Sequence, residues 1–386
     1  MFFLKLVARN ALRARLRTAL TVLGLVIALA AFGLLQTVVQ AWYAGADAAS
    51  PTRLVTRNSI SLVFPLPIYY RDKIRTIDGV RGVAVSNWFG GVWRDERNFF
   101  AQFAVDSPQY FAMYPEFVFE PGQWADYLRD RRGAAVGRQL ADLYGFKVGD
   151  RLPLRGTIYP GNHEFTVRAI FDGRDQGTIT RQMYFHYDYL NEFLKARFPR
   201  GANNVGVFVV DVDDPARVAD IARAIDAEFA SSLAETLTET EKAFQLSFVA
   251  MVETIVQVIS GVSYIVIAII LAVAANTMAM TARERLSEYA TLKALGFGPA
   301  FVARLVLAES LVIAAAGGML AMALTPVAAA GFFDSVGRTL FARFEVVPST
   351  YALQAAAALA VGVLAALVPM LRSARVRIVE GLRHVG

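Results

Sequence analysis

The chain has 386 residues, 55% of them hydrophobic, with mean hydropathy +0.41, too apolar for an ordinary soluble domain and too polar to be membrane throughout. It has no cysteine, which excludes disulfides and thiolate metal sites, and His163, His186 and His384 lie too far apart for metal-ligand spacing, so no metal is expected. The net charge of +6 and pI near 9.5 would suit nucleic acid, but the basic residues flank apolar stretches and are read as topology signals, with no nucleic-acid partner expected.

The first stretch is basic. Lys5, Arg9, Arg13 and Arg17 stand four apart and stack on one helical face, with Phe3, Leu6, Val7 and Leu12 elsewhere. Residues 1–18 are expected to form a cytoplasmic amphipathic helix whose basic face meets anionic membrane lipids or a cytoplasmic partner. Residues 19–39 carry no charge, and transmembrane helix 1 is assigned to 19–42. The run exceeds the roughly 7–15 apolar residues of a signal peptide, so a retained helix is expected, although Ala44, Ala46 and Ala48 offer a weak cleavage pattern.

Residues 43–246 have soluble composition and mixed α/β texture. Strands are expected at 98–105, 165–171 and 205–212, where aromatic and branched residues concentrate. Asp213, Asp214 and Pro215 then open a helix whose stripe is Val218, Ile221, Ile225 and Phe229. Residues 140–145 read as a helix end, followed by a turn at 147–150. Catalytic signatures such as G-x-S-x-G, H-E-x-x-H and the P-loop are absent. Asp95 and Glu96 among arginines read as a solvated loop or a catalytic cluster. The aromatics Tyr69, Tyr70, Trp88, Phe89, Trp93, Phe99, Phe100 and Phe103 read as core or as a groove for an acyl chain.

From Glu241 to about Ala282 no breaker interrupts a helical pattern, which predicts a rod of about 60 Å that couples the outer block rigidly to the membrane. Three more charge-free runs lie between Glu253 and Arg283, Glu309 and Asp334, and Glu345 and Arg372. The assignment is stalk and transmembrane helix 2 at 247–281, a cytoplasmic turn at 282–304, and helix 3 at 305–331. A short outer loop at 332–347, helix 4 at 348–371 and a cytoplasmic tail at 372–386 complete it. Arginine and lysine crowd the first flank, the 282–304 turn and the tail, which places both termini inside and residues 43–246 outside. Gly24, Gly33, Gly261, Gly317 and Gly318 are expected to permit close helix approach. Glu253 and Glu309, near span ends, are expected to snorkel rather than relay protons.

The most specific segment is 281–309. Leu286, Tyr289, Leu292 and Leu295 form an apolar stripe, with Glu284, Glu288 and Thr291 on a polar face. Gly296 stops this helix and Gly298-Pro299 starts the next. The pattern alone leaves two readings open, an interfacial helix that holds the hairpin or a contact for a partner.

The run Glu284, Arg285, Glu288, Leu292, Lys293, Ala294, Leu295, Gly296 resembles the E-R-x-x-E-x-x-x-L-K-A-L-G hallmark of FtsX-like ABC transporter permeases of the MacB/LolC/LolE, mechanotransmission type. Glu309 and Gly317-Gly318 resemble that family's third span. Residues 133–155 resemble its periplasmic core motif, and residues 369–383 its tail, with departures at Ile378 and Gly381. The resemblance implies an α-helical membrane protein with four transmembrane helices and a large extracytoplasmic mixed α/β domain, a MacB-like periplasmic core, inserted between helices 1 and 2. It implies a multi-pass inner (cytoplasmic) membrane location. It makes Glu284, Arg285, Glu288, Tyr289, Leu292, Lys293, Leu295 and Gly296 an ATPase-coupling helix. With no Walker A sequence in the chain, the ATPase is expected as a separate subunit that holds ATP and magnesium, with no cofactor on this chain and no catalysis by it. The other expected partners are a second permease copy or a paralogue, a periplasmic adaptor and an outer-membrane channel. The implied task is export or extraction of a lipoprotein, lipid, peptide or antibiotic. The alternatives are regulation of an outer partner such as a cell-wall hydrolase, a lipid-modifying enzyme, and a receptor without a motor.

Overall fold

The computed structural model describes residues 15–47, 49–96, 98–175, 178–337, 341 and 344–375. Lys5, Arg9 and Arg13 of the basic segment, and the tail beyond Arg375, lie outside the described residues. The elements, in chain order, are α1 (Arg15–Asp47), β1 (Arg53–Asn58), β2 (Leu66–Pro67), α2 (Tyr70–Ile74), β3 (Val80–Trp88) and β4 (Ala101–Val105). Then come α3 (Ser107–Met113), β5 (Phe117–Val118), α4 (Pro121–Arg129), β6 (Gly133–Gly137), α5 (Arg138–Tyr144), β7 (Arg151–Gly156) and β8 (Gly161–Gly173). After these are β9 (Gln182–His186), α6 (Tyr187–Arg197), β10 (Asn204–Val205), β11 (Val207–Val212), α7 (Val218–Glu228), β12 (Thr236–Thr240) and α8 (Glu241–Met251). The chain closes with α9 (Glu253–Glu284), α10 (Leu286–Ala294), α11 (Pro299–Phe332) and α12 (Pro348–Arg375). Two compact units result, one of residues 1–42 with 252–386 and one of residues 43–251.

In the first unit α1, α9, α11 and α12 are each long and apolar enough to cross a membrane. They contain 28 to 34 residues, more than the roughly 20 that span the hydrocarbon. Small residues let them pack closely. Leu25 of α1 meets Ile270 and Ala274 of α9 and Val361 and Ala365 of α12, while Leu29 and Ala30 meet Ala321 and Ala358. Gly317 lies under Leu25 and Gly318 under Ala358. Gly33 is the tightest of these approaches, since a Cβ there would collide with the Gln354 amide. Gln354 Nε2 donates to Leu29 O at 2.9 Å and to Thr325 Oγ1 at 2.7 Å, and Gln36 Nε2 donates to Ser263 Oγ at 2.9 Å. Gly24 makes only an ordinary contact with Ile270, and Gly261 faces open space, so neither fills the packing role expected of it.

In the second unit the main sheet runs β12-β1-β11-β3-β4-β9-β6-β8-β5, with β7 on β8. The pairings β4–β9 and β6–β8 are parallel and the rest antiparallel. Strand alternation feeds both faces. Ala134 and Val136 of β6 join Phe89, Phe165 and Phe185, while Ala135 joins Tyr110, Phe171 and Tyr184. A third core seats the α7 stripe Val218, Ile221 and Ile225, with Phe229, on Leu54, Val83, Val85, Phe208 and Val210. Tyr70 stacks on Phe229 at 3.9 Å.

Three expectations need correction. The rod expected from Glu241 is two helices, because Val252 (φ −110°, ψ 10°) leaves the helical conformation and its carbonyl starts α9 by accepting from Ile255 and Val256. The expected strand at 205–212 is divided at Gly206, with β10 on β2 and β11 between β1 and β3. Residues 98–100 precede β4 rather than forming part of it.

Gly33→Val should separate Gln354 from Leu29 and Thr325 and lower stability by about 1–3 kcal/mol, the usual cost of overpacking. A thermal-unfolding series in detergent checks this, and an unchanged midpoint would contradict the packing described.

Candidate functional site

The segment between α9 and α11 is built around one arginine. Arg285 sits between α9 and α10, and its Nη1 donates to Glu309 Oε1 and Oε2 of α11 at 2.7 and 2.8 Å. Its Nε donates to Glu288 at 2.9 Å, and its guanidinium lies 5.4 Å from the Tyr289 ring centroid. Glu309 is 3% exposed. Burial alone would make the Arg285 charge harder to hold, but Tyr289, Glu309 and Glu288 outweigh it and keep its pKa above the ordinary value. Burial likewise pushes the Tyr289 phenol up to about 12. Tyr289 packs with Met278, Ala282, Val302, Leu305 and Val306, so α10, whose Ala290 is also buried, is fastened to both neighbouring helices. At the same end Arg17 of α1 pairs with Glu284 of α9 at 2.6 Å.

The eight expected coupling residues therefore divide. Arg285, Glu288 and Tyr289 form the internal latch, Glu284 is engaged by Arg17, and Leu292 packs on the inner cluster. Leu295 is 72% exposed, so the stripe expected from spacing three does not keep one face. α10 ends at Ala294, and Leu295 already turns outward at its C-cap. Lys293 is half-buried, and burial lowers its pKa. Gly296 adopts φ +94°, where only glycine is unstrained, and Gly298 caps α11 with Pro299 at its first turn. Thr291 and residues 294–300 are exposed, with Leu295 and Phe297 as their large apolar side chains. Glu309 does not snorkel, since it lies inside the unit on Arg285. Glu253, in contrast, is exposed and accepts from Gln257.

A second buried charge network lies within the outer unit and was not foreseen. Arg53 opens β1 and Glu241 opens α8, and they are 5% and 7% exposed. Arg53 Nε donates to Glu241 Oε2 at 2.8 Å and Nη2 to Glu116 Oε1 at 2.6 Å. Arg53 Nη1 donates to Met113 O at 2.9 Å, and Tyr114 and the Ser50 amide both donate to Glu241 at 3.0 Å. Its partners hold the Arg53 pKa above the ordinary value against the effect of burial. The first and last segments of the outer unit are thus clasped by one carboxylate.

Ser107 Oγ lies 2.9 Å from His186 Nδ1, a spacing that would suit a nucleophile and base. Ser107 is 1% exposed and also bonds Tyr127, while His186 Nε2 bonds Tyr127 O, so this group is a packing network. Beside it Asp106 accepts from the Val85 amide at 2.8 Å and faces Arg71 at 3.8 Å. Burial pushes its pKa from 3.8 up to about 7, although Val85 and Arg71 pull the other way. Glu96 is exposed and meets Arg155 at 3.7 Å, as a solvated loop residue would. Of the aromatics, Tyr70, Phe89, Trp93 and Phe100 are core, whereas Tyr69, Trp88 and Phe99 are exposed.

Two family models match. Residues 18–228 match the MacB-like periplasmic core domain, and residues 260–378 match the FtsX-like permease C-terminal domain. Similar solved structures include the extracellular domain of the noncanonic ABC-type transporter YknZ from Gram-positive bacteria. That match has 14% identity and a TM-score of 0.34, and covers 49% of this chain and all of that one. Another is the periplasmic region of MacB from Actinobacillus actinomycetemcomitans, at 11% identity and a TM-score of 0.35, covering 52% of this chain and 94% of that one. No curated protein sequence matches. Four spanning helices around an inserted α/β domain define a multi-pass inner-membrane permease with an extracytoplasmic domain. The chain belongs to the MacB/FtsX-like family of ABC permeases, and that membership implies partnership with an ATPase.

Two measurements follow from these networks. Glu309→Leu should cost about 3–5 kcal/mol by leaving Arg285 buried without its main partner, and Arg285→Met added to it should restore part of the loss. Additive losses in thermal unfolding would contradict a coupled pair. For Asp106 the folded pKa lies above the unfolded one, so its stabilising effect is full below about pH 3.8 and fades as pH rises through about 7. Relative to Asp106→Asn, the native protein should lose stability between pH 5 and pH 8, and parallel stability curves for the two proteins would refute this.

Proposed function

We propose that this chain is the transmembrane subunit of a mechanotransmission ABC complex, with both termini cytoplasmic. A separate ABC ATPase subunit, which binds ATP and magnesium, would dock on the exposed turn of Leu295, Gly296 and Phe297. The observation that carries this reading is the contrast within residues 284–300. One side is fixed to α9 and α11 by Arg285, Glu288, Glu309 and Tyr289, and the other presents Thr291, Leu295 and Phe297 to solvent. A docking surface that moves a membrane unit needs both properties, an apolar contact and a stiff attachment.

Closure of two ATPases would pull two permease copies, or this chain and a paralogue, and the movement would reach the outer domain through α1 and the α8–α9 connection. That domain would act on a lipoprotein, lipid, peptide or antibiotic outside, with an adaptor and outer-membrane channel as further partners. The exposed Ile60, Val63 and Phe64 and the exposed Trp88 and Phe99 support an apolar substrate or partner.

Leu295→Asp should insert and melt like the native chain but fail to co-purify an ABC ATPase from mild-detergent membranes. Gly296→Val, strained at φ +94°, should weaken the same capture. Undiminished ATPase capture by Leu295→Asp would sink the assignment of this turn. The same pull-down separates two uses of the motor, since an adaptor and channel would indicate export and a cell-wall hydrolase would indicate regulation.

A further inference from the structure

At the end of the membrane unit that carries α10, the last turns of α9 and α12 enclose a recess of about 30 Å³, lined by Ala282, Arg283, Leu286, Pro369, Arg372 and Ser373. One water occupies about 10–15 Å³ of such space, so the recess takes a group of a few heavy atoms and not a whole organic molecule. Three of the side chains are polar, and none is satisfied. Arg283 and Arg372 are exposed, and among the described residues neither guanidinium has an ion pair or hydrogen bond. Ser373 is 1% exposed, and its hydroxyl is buried without a hydrogen-bond partner. Other hydroxyls in the spans behave differently. Thr277 and Thr281 bond the carbonyls of Val273 and Thr277, and Ser310 bonds Gly362 O.

Two cations and a free O–H donor around a small space are complementary to an oxyanion. The neighbouring carboxylates do not supply it. Glu284 is paired with Arg17, and Glu288 and Glu309 with Arg285. Helix ends in a bilayer lie in the phosphate layer, where arginine side chains reach headgroups. Toward the hydrocarbon, Val368 and Leu364 stand one and two turns before Arg372 on α12, each about half exposed. An acyl chain laid along them brings its own phosphate to the two arginines, whereas a free phosphate ion gains nothing from them.

We propose that this recess binds the phosphate of an anionic phospholipid, with Arg283 and Arg372 on its oxygens and the Ser373 hydroxyl donating to one of them. Polar pairs at this end tie α9 to α1, through Arg17 and Glu284, and the start of α10 to α11, through Arg285 and Glu309. Among the described residues no such pair ties α9 to α12 here, and the bound phosphate supplies that tie. The inference needs the helices to lie in a bilayer but does not depend on the ATPase contact above.

The full chain, delipidated in mild detergent, can be followed by native mass spectrometry and thermal unfolding with three additives: dioleoyl phosphatidylglycerol, dioleoyl phosphatidylcholine and inorganic phosphate. Phosphatidylglycerol should stay bound and raise the unfolding midpoint at concentrations where the other two do neither. Arg283→Gln and Arg372→Gln should each weaken its binding about tenfold, the effect of one lost charge-assisted hydrogen bond, and Ser373→Ala about fivefold. Arg304→Gln, at an exposed arginine of α11, should leave binding unchanged. Without lipid the three arginine variants should unfold like the native chain. An equal loss in Arg304→Gln would reduce the effect to diffuse charge attraction and overturn the site. Equal retention of phosphatidylcholine would overturn the preference for an anionic headgroup, and equal protection by inorganic phosphate would overturn the lipid as its source. Phosphatidylglycerol binding that survives Arg283→Gln and Arg372→Gln together would overturn the proposal outright.

Discussion

Acyl chains form no hydrogen bonds, and most of the membrane unit follows from that. The backbone must satisfy itself, so α1, α9, α11 and α12 run as long helices, and the departures from helix, at Val252 and Arg285, fall at the ends of α9. The same rule governs side chains. Gln36 and Gln354 enter the bundle because Ser263, Thr325 and Leu29 O receive them, and Gly33 provides the room. Glu309 is admitted on the same terms, through the two hydrogen bonds from Arg285. Where α9 stops, this pair replaces the helical ladder as the link to α11.

In the outer unit the burden falls on packing. β6 is buried on both faces, and its small Ala134 and Ala135 leave space for Phe165 and Phe185 on one side and Phe171 and Tyr184 on the other. Charge is buried there too, with Arg53 and Glu241 held in a closed network. Arg53 is matched by Glu241, Glu116 and a carbonyl, and Ser107 and His186 by Tyr127. Such pairs add little net stability compared with apolar residues, but they tolerate few alternative arrangements. At Arg53 the arrangement so fixed is the meeting of the strand that opens the domain with the helix that closes it.

Long runs were legible because they need only composition, and four charge-free stretches stand where the four spanning helices do. The α7 stripe was legible because Val218, Ile221 and Ile225 repeat at helical spacing against one surface. The break at Val252 was not, since it sits among good helix formers without proline, glycine or a capping side chain. The outward turn of Leu295 was hidden for a related reason. Spacing places it with Tyr289 and Leu292 only while the helix continues, and α10 ends one residue earlier. Arg285 with Glu309, and Arg53 with Glu241, are separated by 24 and 188 residues, beyond the reach of any local pattern. The short motif marked the residues between α9 and α11 as a group, but not which of them face solvent.

The clasp of Ser50 and Arg53 on Glu241 has an architectural consequence. A domain whose two ends meet at one buried side chain closes on itself, as an insert on a short stem does. Its interior can be enlarged, trimmed or exchanged for another fold without a change in the distance between the two strands of chain that carry it. Evolution can therefore retool what this domain meets while leaving the helices that carry it as they are.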